Sequence, residues 1–343
     1  MSYQVHLVGS VPLAGAKDVF ETLGSALGPL APRLPDGETG ARLNWITWLE
    51  PQFRDNPAFV PTDQEYRVHA QATAMRRYRL KPGASPRFDN LGIADIAKDS
   101  YAAFKAAKAA GKVPPATKFQ VDIAPAHTLV RAFVRDEDQV VVEPIYDAAI
   151  AREIDKVARL VPHAELAIQF DVASAVFFLL ESGKPTRYGK TKDEMQAAFT
   201  AQMIGLGNAV PADIDLIYHL CYGDNQHKHS IEPTDTADMV EFANRVSRGI
   251  ARPIQLFHMP VPRDRSDDAY FVPLKNLKLR PETKLSLGLV HFTDGVAGTR
   301  ARIAAAEKVA KGFMIATECG LGRRDPKTIP KLLEIHAEVA GLR

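Results

Sequence analysis

Short apolar runs alternate along the chain with longer stretches in which apolar residues recur at helical spacing, and this alternation sets the expected elements. Eight runs have the length and character of buried strands: Gln4 to Val8, Leu30 to Leu34, Lys118 to Ile123, Leu166 to Asp171, Leu216 to Cys221, Ile254 to His258, Lys284 to His291 and Phe313 to Cys319. Between them the spacing predicts helices over Ala94 to Ala110, Tyr146 to Leu160, Lys192 to Leu206, Thr236 to Ser247 and Arg300 to Val309. Strands separated by helices pair in parallel, and eight in one chain predict an α/β fold with a single closed (β/α)8 TIM barrel spanning residues 1–343. A doubly wound open sheet is the alternative. The stretch Ala41 to Gly92, rich in aromatic and basic residues, exceeds an ordinary connection and is expected to pass over the barrel mouth.

Composition narrows the function classes. The 43 Lys and Arg residues nearly balance 41 acids, so no broad cationic footprint for nucleic acid exists. No apolar run is long enough to cross a bilayer, and the N-terminus lacks a cationic region followed by an apolar core, so a soluble cytoplasmic protein without membrane or nucleic-acid partners is expected. A small-molecule substrate becomes the default partner, and a homo-oligomer is compatible with the sequence. Two cysteines cannot staple a chain of this length; in a reducing compartment they are inert, reactive or metal-binding.

Barrel enzymes carry their reactive groups at the C-terminal ends of the strands. Glu38, His127, Asp171, His219, Cys221, His258, His291 and Cys319 all fall at or just past such ends. Residues i and i+2 of a strand share a face, so the His219 ring and Cys221 thiol can reach one metal ion, with Cys319 as a third donor. One buried Cys beside one His would read as packing; a third donor at a matching strand end favours metal.

Gly9-Ser10, Asp36-Gly37-Glu38, Gln169-Phe170-Asp171, His219-Leu220-Cys221 and Glu318-Cys319-Gly320-Leu321 occur in the order and rough spacing of a known barrel. Through them nearly the whole chain resembles the catalytic barrel of cobalamin-independent methionine synthase, whose single-barrel relatives include epoxyalkane:coenzyme M transferases. The resemblance implies Zn2+ held by His219, Cys221 and Cys319 and a zinc-activated thiol that accepts a methyl or alkyl group. It implies substrate contacts from Gly9, Ser10, Glu38 and Asp171, with Glu38 and Asp171 at the positions that hold the amino group of homocysteine. Where the family has a further glutamate ligand after the sixth strand, this chain offers His258 in Leu256-Phe257-His258. Glu-Pro after the Gln-x-Asp is replaced by Val172-Ala173, and Ile123 to Phe133 carries no tryptophan to stack on a pterin, so folate is expected to bind poorly.

Other residues are weighed against plainer roles. His258 is read as fourth ligand or as a residue behind the ligands, and together with Asp171 it joins the catalytic candidates. His291 is a candidate general acid or a hydrogen-bonded rim residue. His127 is a substrate-contact candidate, and Arg323, beside Arg324 just past Cys319, can take a substrate carboxylate. His227 and His229 form a second metal tract or, more simply, a polar loop. Arg263 to Asp268 reads as an internally paired surface loop rather than an anion site, and Tyr78 as part of a lid or of a cationic surface. A zinc hydrolase or lyase, with His291 or His258 carrying protons, and a protein with purely structural zinc are the rival readings.

Overall fold

The computed structural model describes residues 2–67, 70, 72–224 and 228–341. Among these, nine strands follow in chain order: β1 (Arg33–Pro35), β2 (Phe59–Tyr66), β3 (Met75–Leu80), β4 (Lys118–Ile123), β5 (Leu166–Val172), β6 (Asp215–Leu220), β7 (Leu256–Pro260), β8 (Lys284–Val290) and β9 (Met314–Thr317). Seven form one curled sheet in the order β1-β4-β5-β6-β7-β8-β9, every pair parallel. β5 and β6 are buried at every position, which explains why they read as unbroken apolar runs: helices cover one face and the interior of the curl fills the other. The helix Lys192–Ala209 begins at a capping box in which Thr191 accepts from the Glu194 N–H while Glu194 accepts from the Thr191 N–H.

The first expected strand does not form. Val5 makes a single parallel bridge to Ile315 of β9, and its N–H donates to the Leu30 carbonyl at 2.8 Å on the other side. The N-terminal segment thus reaches both edges of the sheet without becoming a ladder. Beyond it the chain is drawn away: Ser10 accepts from the Leu321 N–H and the Val11 N–H donates to Gly37. The expected complete (β/α)8 barrel is therefore found as a seven-stranded curled sheet. Leu30 to Leu34 shortens to β1 because Gly28–Leu30, with Pro29 at its start, forms a 3-10 turn.

The segment from Ala41 to Gly92 folds as an anchored unit. It comprises a 3-10 stretch (Gly40–Leu49), a short helix (Pro51–Arg54) and the antiparallel hairpin β2–β3. Phe53 stacks on Phe133 and Tyr146 at centroid distances of 5.3 and 5.8 Å, and Phe88 meets Tyr146 edge-on at 4.8 Å. These rings tie the excursion to the helices Ala126–Phe133 and Gln139–Leu160. Tyr78 is neither lid nor cationic surface; it is buried and donates its hydroxyl to Glu50. No described helix is long and apolar enough to cross a membrane.

Candidate metal centre and binding cavity

Parallel pairing sets Asp171 of β5, His219 of β6 and His258 of β7 side by side in register. Cys221 continues the line of β6, with its N–H donating to Val172 at 3.0 Å, so its thiol projects to the same side as His219. Cys319 arrives from the end of β9. Its sulfur stands 3.7 Å from Cys221 Sγ and 3.9 Å from His219 Nε2, and the three donor atoms lie within 4.8 Å of one another. Neither thiol is in a disulfide. The Cys221 thiol, and then burial, push Cys319 well above the usual thiol range. Gly223 donates its N–H to Cys221 Sγ at 3.2 Å.

The group forms one wall of a cavity of about 340 Å³, bordered also by Gly9, Ser10, Glu38, Trp45, Asp171 and Arg323. Gly9 is small by necessity, since a Cβ there would stand 3.0 Å from Asp122 Oδ2 and 3.3 Å from Glu38 Oε2. Gly320 would likewise meet Ser10 Oγ. Three carboxyls crowd this side, and burial dominates their ionisation. It raises Asp171 to about 7, with hydrogen bonds from Gln169 and Trp45 opposing the rise. It raises Glu38 to about 8, with Asp171 and Asp36 adding to the rise and Arg42 and Arg323 countering it. Asp122 is pushed well above the carboxylate range by burial, then by Asp171 and Glu38. Asp36 is better served, accepting from Arg42 at 2.7 Å and Ser100 at 2.6 Å.

Glu38 (φ 45°) and Trp45 (φ 57°, ψ −110°) are the non-glycine residues with positive φ among those described. Both face the cavity. Strain of this kind, costing about 1–3 kcal/mol per residue, persists where surrounding packing enforces it, commonly at ligand sites.

The structure brings Gly9, Ser10, Glu38, Asp171, His219, Cys221, Cys319 and Arg323 to one cavity. Three histidines go elsewhere. His258 is not in the donor group: its Nδ1 faces His219 Nδ1 at 2.7 Å, on the side of that ring away from the sulfurs. His291 is buried with Nε2 at 2.8 Å from the Val261 carbonyl and Nδ1 4.0 Å from Glu318, behind the cavity wall. His127 opens the helix Ala126–Phe133, where Nδ1 meets Gln202 at 2.6 Å and the ring packs edge-on to Phe199. His127 was placed at the rim because it follows β4, but the chain turns into a helix at Ala126 and carries it outward. His227 lies outside the described residues. His229 bonds Glu232 at 3.0 Å and Glu318 at 2.5 Å; burial lowers its pKa, but the two carboxylates outweigh that and hold it up to about 10. Arg263 and Arg265 pair with Asp264 and Asp267 as an internally matched loop.

Asp122 and Trp45 escaped sequence reasoning. Asp122 had a signal: Gln120-Val121-Asp122 repeats Gln169-Phe170-Asp171, and each glutamine donates to the aspartate two residues on, at 2.8 and 2.9 Å. Trp45 had none beyond its place in the excursion. Its presence also brings to the cavity an aromatic ring that Ile123 to Phe133 does not supply.

No protein-family model matches the sequence, and no curated protein matches it significantly. In structure it is similar to a B12-independent methionine synthase from a Shewanella species, solved in complex with selenomethionine, at TM-score 0.66 and 11% identity over 100% of this chain and 98% of that one. It is also similar to a methyltransferase from Methanosarcina mazei, at TM-score 0.52 and 12% identity over 98% of this chain and 94% of that one. At such identities the likeness establishes a shared fold.

Proposed function

We propose that the protein is a zinc-dependent enzyme that transfers a methyl or alkyl group to a thiol. The observation that carries this reading is the meeting of His219, Cys221 and Cys319 on the wall of a cavity that Glu38 and Asp171 also border. Two ligands on tetrahedral zinc at Zn–S distances of about 2.3 Å stand about 3.7–3.8 Å apart, and the two sulfurs are 3.7 Å apart. Three protein donors leave a fourth position for substrate, as catalytic zinc sites do; structural sites are closed by four. Both neighbours in structure are named for methyl transfer, which supports the same reaction class.

Zinc bound there supplies a Lewis acid that draws the proton from a thiol of ordinary pKa about 8.5, so that the substrate is a thiolate near neutral pH. The chain's own residues do the rest. Asp171 and Glu38 receive a cationic group of the substrate, with the Asp122 carboxyl electrostatically linked to both, and Arg323 receives an anionic one. Trp45 covers the carboxyl side and donates its indole N–H to Asp171. The thiolate sulfur then attacks the alkyl carbon of the donor; a thioether forms, and the leaving group departs with the electron pair of the broken bond. His291 and His258, the proton carriers of the hydrolase or lyase reading, do not border the cavity.

Two finer features belong to this reading. The N-terminal segment stands as the eighth element of a closed barrel, supported by the bonds of Val5 to both sheet edges. The enzyme works in the cytoplasm, supported by two free thiols kept side by side without a disulfide. Purified protein is expected to carry about one zinc per chain, with Cys221→Ser or Cys319→Ser losing most of it while circular dichroism stays unchanged. Full zinc retention by both variants would sink the assignment.

A further inference from the structure

His219 has two ring nitrogens, and the fold gives each a different neighbour. Nε2 faces the sulfurs, 3.9 Å from Cys319 Sγ, while Nδ1 lies 2.7 Å from Nδ1 of His258. A nitrogen that gives its lone pair to a metal cannot also carry a proton. With Nε2 turned to the metal, the His219 proton sits on Nδ1, and the facing Nδ1 of His258 must be bare to accept it. We propose that His258 is a positioning residue, a neutral imidazole that accepts the Nδ1 proton of His219 and so fixes the tautomer and ring angle of that ligand. The inference rests on the metal reading above, through Nε2 of His219.

Metal-bound histidines commonly donate their second N–H to a carboxylate, a carbonyl or water. An imidazole in that place has two consequences. It adds no charge, so two thiolates and one imidazole leave a divalent ion neutral until the substrate arrives. It is also held rigidly. His258 is fully buried, and its ring lies 4.8 Å from that of His219 and 5.3 Å from that of His6. The backbone N–H of His6 donates to the Ile315 carbonyl at 2.9 Å, which holds this segment against β9. The orientation of one ligand is thus set jointly by β6, β7 and the N-terminal segment, which are far apart in sequence.

The test is the zinc affinity of the full-length protein, measured by chelator competition, for the wild type, His258→Asn and His258→Leu. Asparagine keeps an acceptor near the position of Nδ1; leucine fills the space without one. The expected result is affinity within a few-fold of wild type for His258→Asn and weakening by about 10–100-fold for His258→Leu. Nitrogen-15 NMR of the zinc-loaded wild type, which depends on no variant folding, should find the proton on Nδ1 of His219 and none on Nδ1 of His258. Wild-type affinity in His258→Leu, equal loss in both variants, or a protonated His258 Nδ1 overturns the positioning role. A wild type that binds no zinc overturns the metal reading and this inference together.

Discussion

Asp171 and Glu38 hold their protons longer in the folded chain than they would in the unfolded one, because burial raises the first from 3.8 to about 7 and the second from 4.5 to about 8. The folded state therefore binds more protons than the unfolded state between the two values. Its stability is fully present below about pH 4 as far as these groups are concerned, and is lost as pH rises through 7 and 8. Denaturant titration of the metal-free protein should show this decline, and Asp171→Asn should flatten it while stabilising the protein at pH 8 by up to a few kcal/mol. A cationic ligand acts in the opposite sense, since it favours the ionised carboxyls. Binding of an ammonium-bearing thiol should tighten from pH 6 to 8 and release protons, measurable by calorimetry in buffers of different ionisation enthalpy; pH-independent binding without proton release would remove these carboxyls from the substrate. Trp45→Phe keeps the ring but removes the N–H that helps hold Asp171 ionised, so the midpoint of that profile should move upward by about half a pH unit.

The elements show which parts of the account were legible in the sequence. β5, β6 and β8 differ from their expected bounds by a residue at one or both ends, because strands buried on both faces leave a nearly continuous apolar trace, and β4 matches its bounds through the alternation of Phe119, Val121 and Ile123. Helices that pack on several sides leave a weaker one. The helices Ala126–Phe133 and Ser174–Ser182 follow directly on strands, and the first of them carries His127 away from the strand-end position that its sequence spacing suggests. The donors His219, Cys221 and Cys319 were legible through strand-end position, whereas the orientation of His258 depends on rings from three elements and has no local signature. One backbone position tests how tightly the strands hold the site. At Gly288 in β8, a Cβ would stand 2.7 Å from Glu318 Cα and 3.0 Å from Pro260 Cα, both backbone atoms that cannot rotate away. Gly288→Ala should therefore cost about 1–3 kcal/mol and, by displacing Glu318, shift Cys319 and weaken metal binding. A thermal melt and a zinc titration check both; an unchanged melt would mean that β9 yields more easily than its packing implies.

At the scale of the whole molecule, the curled sheet collects His219 and Cys221 from β6, Cys319 from the end of β9, the carboxyls of Glu38 after β1 and Asp171 of β5, and a covering ring from the excursion around one cavity. The two sulfurs and the carboxyls of Asp171 and Glu38 border the same cavity, and under the proposed function a thiol with a cationic group fills it. The central claim is that the substrate's own sulfur joins the two protein sulfurs at the metal. X-ray absorption of the metal-loaded protein counts those sulfurs directly. With zinc or cobalt bound, the account predicts two sulfurs in the resting protein and three after addition of the thiol substrate or a small thiol mimic, accompanied in the cobalt form by stronger sulfur-to-metal charge-transfer absorption. A substrate that turns over while the count stays at two would contradict it.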